Sequence, residues 1–103
     1  GQEYVPALVN LGNIRYLRGQ LTEARLLYER AYRRDAANPA VLLALARVHH
    51  EGGQYDAARE YYSRLRQRDS GLAERYAYLD QRGQATARAA DSAEQRTAVL
   101  WDE

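Results

Sequence analysis

Apolar residues in the first third of the chain fall at helical spacing. Leu8, Leu11 and Leu17 recur along one run until Arg18-Gly19-Gln20 interrupts it, and the glycine there is available for a left-handed helix end. A second helix is expected to follow. Thr22 is placed as its cap, a residue whose side-chain oxygen accepts from the free amides of a first helical turn. Ala24 is small where two helices must approach closely, and Tyr28, four residues on, fills the next turn of the same face. The helix is expected to end around Asp35, before Asn38-Pro39.

The same pattern then returns. Residues 5–38 lie over 39–72 without a gap and are identical at Leu8/Leu42, Leu11/Leu45, Gly19/Gly53, Gln20/Gln54, Ala24/Ala58, Arg25/Arg59, Tyr28/Tyr62, Arg30/Arg64, Arg34/Arg68 and Asp35/Asp69. For a chain this rich in Ala, Arg and Leu, roughly three or four matches would arise by chance, so the period is a repeat. In the second copy Asp56 stands in the cap position of Thr22, and the second helix is expected to end around Asp69, before Ser70-Gly71. Beyond residue 72 the pattern decays. Leu72, Tyr76 and Leu79 share one helical face, and Arg82-Gly83-Gln84 echoes the first turn four residues early, which predicts a first helix about one turn short. Ala85, Ala89 and Ala93 form a thin stripe ahead of the apolar group Val99-Leu100-Trp101. The expected fold is all-α: one domain over 1–103, an α-solenoid of helix-turn-helix repeats at about 5–38 and 39–72, closed by a divergent capping unit at about 73–103.

The stretch LGNIRYLRGQLTEARLLYERA, Leu11 to Ala31, resembles the tetratricopeptide repeat, a 34-residue helix-turn-helix pattern. Leu8, Leu11, Gly12, Gly19, Ala24, Tyr28 and Ala31 fall on its signature positions, as do Leu42, Leu45, Ala46, Gly53, Ala58 and Tyr62 in the second copy. The departures are Arg15 and His49 where an aromatic is usual, Leu65 in place of a small residue, and Ala36 or Ser70 in place of the late proline. The resemblance implies a non-catalytic scaffold that holds a peptide or helix of a partner protein in a groove lined by the first helix of each repeat. Carried over position by position, that groove is Val9, Asn13 and Tyr16, then Leu43, Arg47 and His50, then Ala77 and Gln81. Such a surface, with an apolar floor, one aromatic, one cation and amides, suits an extended peptide or a helix held by apolar anchors and backbone hydrogen bonds. The clamp of Lys, Asn and Arg that chaperone-tail binders of this family use is matched only at Asn13, so tight binding of carboxylate-ended tails is not expected.

Candidate chemistry narrows the picture further. His49 and His50 are adjacent and point about 100° apart on a helix, whereas a helical metal pair sits at i and i+4, so neither a metal site nor a general base is expected there. Glu51 is read as a solvated helix-end residue. With no Cys, no Gly-rich phosphate loop and no serine in a nucleophile-elbow setting, no enzyme activity and no cofactor are expected. All fifteen basic residues are Arg, but fourteen Asp and Glu reduce the net charge to +1, which argues against a nucleic-acid partner. Arg25, Arg30, Arg34, Arg59, Arg64 and Arg68 are read as a solvated outer face. The longest uncharged apolar run, Ala40 to Ala46, is too short for a membrane span. A second functional expectation is self-association into a homodimer, through Val99, Leu100 and Trp101 or through the open face of the first repeat. The chain starts at Gly1 without Met and is read as a piece of something longer.

Overall fold

The computed structural model describes residues 4–80, which form α1 Val5–Leu17, α2 Leu21–Arg34, α3 Pro39–Glu51, α4 Tyr55–Arg68 and α5 Ser70–Arg75. There is no strand among the described residues. The helices pack in chain order, α1 on α2, α2 on α3, α3 on α4 and α4 on α5, with α1 also touching α3. This is the all-α helix-turn-helix stack that the repeat predicts. Gln81, the Arg82-Gly83-Gln84 echo, the alanine stripe and Val99-Leu100-Trp101 lie outside the described residues.

Each repeat turns the same way for the same reason. Gly19 and Gly53 carry φ of +77° and +79°, the left-handed conformation that glycine adopts without a steric penalty. In the first turn Gly19 N–H donates to Tyr16 O at 3.0 Å and Gln20 N–H to Arg15 O at 2.9 Å, the bond pair that closes a helix whose next residue is left-handed. The second turn repeats both bonds, Gly53 to His50 O at 3.0 Å and Gln54 to His49 O at 2.8 Å. The glutamine side chains also match. Gln20 Oε1 accepts from Arg15 Nη1 at 3.2 Å, and Gln54 Oε1 lies 2.7 Å from His49 Nδ1. Arg15 and His49, which stand where the family usually has an aromatic, are therefore partners of the glutamine that the repeat places at each turn.

That turn displaces the expected caps. α2 and α4 begin at Leu21 and Tyr55, with Gln20 and Gln54 in the cap positions and no side-chain cap bond. Thr22 and Asp56 sit one residue inside the helices, because the left-handed glycine leaves room for a single residue before the next helix starts. α3 is started more firmly: Asn38 Oδ1 accepts from Ala40 N–H at 2.9 Å and Pro39 opens the first turn, where its missing N–H costs nothing.

Two apolar clusters hold the stack. Ala24, Tyr28 and Ala31 of α2 meet Val41, Leu45 and Val48 of α3, and Leu42, Ala46, Tyr62, Leu65, Ala73 and Leu79 form the second. Ala24, Ala31 and Ala58 are fully buried, as the close approach of helices requires. Leu8 joins the core, but Leu11 and Leu17 do not: they are 42% and 81% exposed, since among the described residues no helix precedes α1 to cover them.

The third unit departs in register. α5 starts at Ser70, directly after α4, because Asp69 serves as its cap, with Oδ1 accepting from Leu72 N–H at 3.0 Å. The Asn-Pro pair that delays α3 has no counterpart at Leu72-Ala73. α5 ends at Arg75, Tyr76-Ala77 form a turn, and helical backbone resumes at 78–80. Leu72, Tyr76 and Leu79 therefore do not lie on one unbroken helix, although Leu79 is buried and Leu72 and Tyr76 pack at the cluster's edge.

Candidate functional site

Val9, Asn13 and Tyr16 on α1 and Leu43, Arg47 and His50 on α3 each recur at i, i+4 and i+7, so each trio occupies one helix face. Val9 and Tyr16 pack at the rim of the first cluster and Leu43 at the rim of the second. Asn13 is exposed, and its orientation is set from below. The Tyr28 hydroxyl donates to Asn13 Oδ1 at 2.6 Å, which leaves the Asn13 Nδ2 hydrogens as donors without a partner among the described residues. Gly12 makes this reach open: a Cβ there would stand 2.4 Å from the Tyr28 ring. Burial pushes the Tyr28 hydroxyl up to about 12, against a smaller opposing pull from the Arg47 charge.

Arg47 is the centre of the arrangement. Its guanidinium carbon lies 5.1 Å from the Tyr16 ring centroid and 5.7 Å from that of Tyr76, both within cation–π range. Arg47 Nε is shielded from solvent and has no hydrogen-bond acceptor. Among the described residues no carboxylate lies within ion-pair distance of Arg47. Glu51, one turn further along α3, is felt at Tyr16, whose hydroxyl is raised first by burial and lowered in part by Arg47. His50 completes the face, packed edge-on against Tyr55 at 5.3 Å and Tyr78 at 5.2 Å between centroids. His49 turns the other way and stacks on Tyr61 of α4 at 5.5 Å. The two imidazoles thus serve different neighbours.

The tetratricopeptide repeat profile matches residues 15–82, about two thirds of the chain and both described turns. The chain belongs to the tetratricopeptide repeat family. Comparisons with curated proteins and with solved structures gave no match. Tetratricopeptide repeats generally mediate protein–protein interactions and are typically non-catalytic scaffolds.

In this tetratricopeptide repeat protein the third helical unit contributes through residues that position-by-position carry-over passes by. Ala77 is exposed in the turn after α5, whereas its neighbours make the contacts: Tyr76 to Arg47 and Tyr78 to His50. Tyr76 reads as core from helical spacing alone, and Tyr78 carries no helical signal. Their i, i+2 spacing is the sign that could have found them, since two large aromatics at that interval fit a turn better than one helix face.

The outer face behaves as a solvated surface. Arg25 pairs with Glu29 at 2.8 Å and Arg64 with Glu60 at 2.9 Å, both one turn apart on their own helices. Arg64 also donates to the Tyr32 hydroxyl and lies over Tyr61, which stacks edge-on against Tyr32, so its stem and head bridge the two repeats. No described helix is long and apolar enough to cross a membrane.

Proposed function

We propose that the face shared by α1 and α3 binds a peptide or helical segment of a partner protein, with Val9 and Leu43 as apolar floor, Asn13 as hydrogen-bond donor and Arg47 as the cation between them. The observation that supports it is the Tyr28–Asn13 bond of 2.6 Å. A buried tyrosine holds an exposed amide by its oxygen, and the remaining Nδ2 donors face outward, where an extended backbone offers carbonyls. The test is selection of displayed random octapeptides on the immobilised protein. Selected peptides should lose binding to Asn13→Ala and Leu43→Asp variants and keep it with Arg59→Glu on the outer face. Failure to enrich any peptide, or binding indifferent to both groove substitutions, overturns the reading.

Self-association is the second reading, and the exposure of Leu11 and Ile14 at 42% and 46% favours it. Two copies would cover these side chains by packing α1 on α1. Val99, Leu100 and Trp101 belong to the same proposal as a second contact. Sedimentation equilibrium of the wild type against a Leu11→Gln, Ile14→Gln variant decides it: a wild type that stays monomeric at high concentration counts against association.

A further inference from the structure

We infer that Arg47 is a receptor for a carboxylate, so that the segment bound in the groove carries an Asp or Glu side chain seated on this guanidinium; this rests on the groove reading above and names the chemistry of its ligand. The inference starts from a contrast between arginines. Arg25 and Glu29 stand at i and i+4 on α2 and form an ion pair of 2.8 Å. Arg47 and Glu51 have the same spacing on α3, in the same order, and form none. A pair of this order and spacing forms on α2, so on α3 something else holds the Arg47 side chain. Tyr16 and Tyr76 do, at 5.1 and 5.7 Å.

Those rings cover guanidinium surface without neutralising its charge. A cation drawn partly out of water prefers a carboxylate, and the described residues around Arg47 give it two tyrosine rings and the neutral Tyr16 hydroxyl instead. With Nε shielded and without an acceptor, hydrogen bonding to an incoming ligand falls to the Nη end. A planar guanidinium held between two rings donates the in-plane, paired hydrogen bonds that a carboxylate accepts. Asn13, whose Nδ2 donors are unspent, stands on the neighbouring helix face beside Tyr16 and Tyr28 and can hold the adjoining backbone carbonyl. Arg47 is the sole Arg of the proposed groove set. One guanidinium balances one carboxylate, whereas a phosphate group with its higher charge calls for a cluster of cations.

The experiment compares two short probes, acetyl-Leu-Glu-Leu-amide and acetyl-Leu-Gln-Leu-amide, titrated to millimolar concentrations into the full chain and followed by nitrogen–proton NMR. The Arg47 Nε–H, buried and therefore slow to exchange, and the Asn13 side-chain amide are the reporters. The expected result is a saturable shift at both, with the Glu probe binding on the order of tenfold more tightly than the Gln probe, a preference erased in Arg47→Gln and weakened in Arg47→Lys, which keeps the charge without the planar fork. The wild-type comparison does not depend on either variant folding. Equal binding of both probes in the groove overturns the carboxylate inference and leaves the groove reading standing. A Glu probe that shifts only the outer-face arginines of α2 and α4 overturns the inference as well. If neither probe moves any residue of α1 or α3, the inference and the groove reading both fall.

Discussion

Leu11 of α1 and Leu45 of α3 occupy one and the same position of the repeat, and their surroundings are opposite. Leu45 is fully buried against α2, while Leu11 is 42% exposed. One turn on, Val48 is 3% exposed and Ile14 46%. The helices differ little in apolar character at these positions; what differs is that α3 is packed between the preceding repeat and α4, whereas no described helix precedes α1, which packs only on α2 and α3. An apolar residue at a repeat position therefore records the pattern, and the neighbouring unit decides whether it contributes to stability. Burial of such a side chain is worth roughly 1.5–3 kcal/mol, and a half-exposed one yields only part of that.

The largest expected effect tests this contrast directly. Leu45→Ala should cost about 3 kcal/mol, lost transfer energy plus a cavity between α2 and α3. Leu11→Ala should cost less than about 1 kcal/mol. Urea unfolding of both variants at several protein concentrations is the measurement. Equal losses would break the comparison, because they would mean that the α1 face is covered in solution by another copy.

Next in size is an alkaline effect at the two equivalent tyrosines. Tyr28 is pushed up to about 12 by burial; Tyr62 is raised too, by burial and then by the Asp80 charge. A raised folded-state value means the native state holds its phenolic proton longer than the unfolded chain, which releases it near 10. The stabilisation is fully present below pH 10 and is lost as pH rises from 10 to 12, about 2–3 kcal/mol for Tyr28. Stability against pH, with tyrosinate absorbance as the titration monitor, should show this loss in the wild type and a smaller one in Tyr28→Phe. A variant that keeps the full slope would place the shift elsewhere.

Gly12 and Ala46 sharpen the same pair of repeats. A Cβ at Gly12 would meet Tyr28 Cε1 at 2.4 Å and Cδ1 at 2.7 Å, so Gly12→Ala forces the ring aside and should cost about 1–3 kcal/mol together with the Asn13 bond. Ala46 already carries a Cβ at the equivalent place, and there the Tyr62 hydroxyl points to α5, donating to Ala73 O at 2.7 Å. Ala46→Gly leaves the Tyr62 ring in place and should cost about 1–2 kcal/mol, helix propensity plus one buried methyl. Thermal unfolding separates the two, and Gly12→Ala combined with Tyr28→Leu should recover part of the loss.

Much of this fold was readable from the residues. The ten identities at a spacing of 34 located both turns, and Gly19 and Gly53 adopt the left-handed conformation read from their place after each first helix. Ala24, Tyr28 and Ala31 face the core as their spacing implies. The caps were misread because Thr22 and Asp56 have the right chemistry at the wrong offset: the length of the turn, a three-dimensional quantity, decides which residue comes before the helix. Exposure of Leu11 and Leu17 could not be read, since it depends on what lies beside α1. The same limit applied to the candidate site. Val9, Asn13, Tyr16, Leu43, Arg47 and His50 follow from register along regular helices, but Tyr76 and Tyr78 reach Arg47 and His50 only because the third unit breaks at Tyr76-Ala77.

The smallest expected effect concerns two aspartates that the repeat makes identical. Asp35 and Asp69 both follow the second helix of their repeat with nearly the same backbone angles, φ −151° and −152°. Asp35 Oδ2 only accepts from the Asn38 side chain, at 3.2 Å, while Asn38 itself caps α3. Asp69 has no such intermediary and caps α5 directly. Asp69→Ala should thus cost about 1 kcal/mol, and Asp35→Ala a few tenths, as a lost exposed contact rather than a lost cap. Hydrogen exchange gives the sharper readout: Asp69→Ala should speed exchange at Leu72 and Ala73, where α5 begins, whereas Asp35→Ala should leave Ala40 protected by Asn38. If Asp35→Ala instead frays α3 as much as Asp69→Ala frays α5, the two junctions are equivalent, and the early start of the third unit needs a cause other than which residue holds the cap. In that event Gly71 is the next position to change, since it is the residue of α5's first turn with the weakest helix preference.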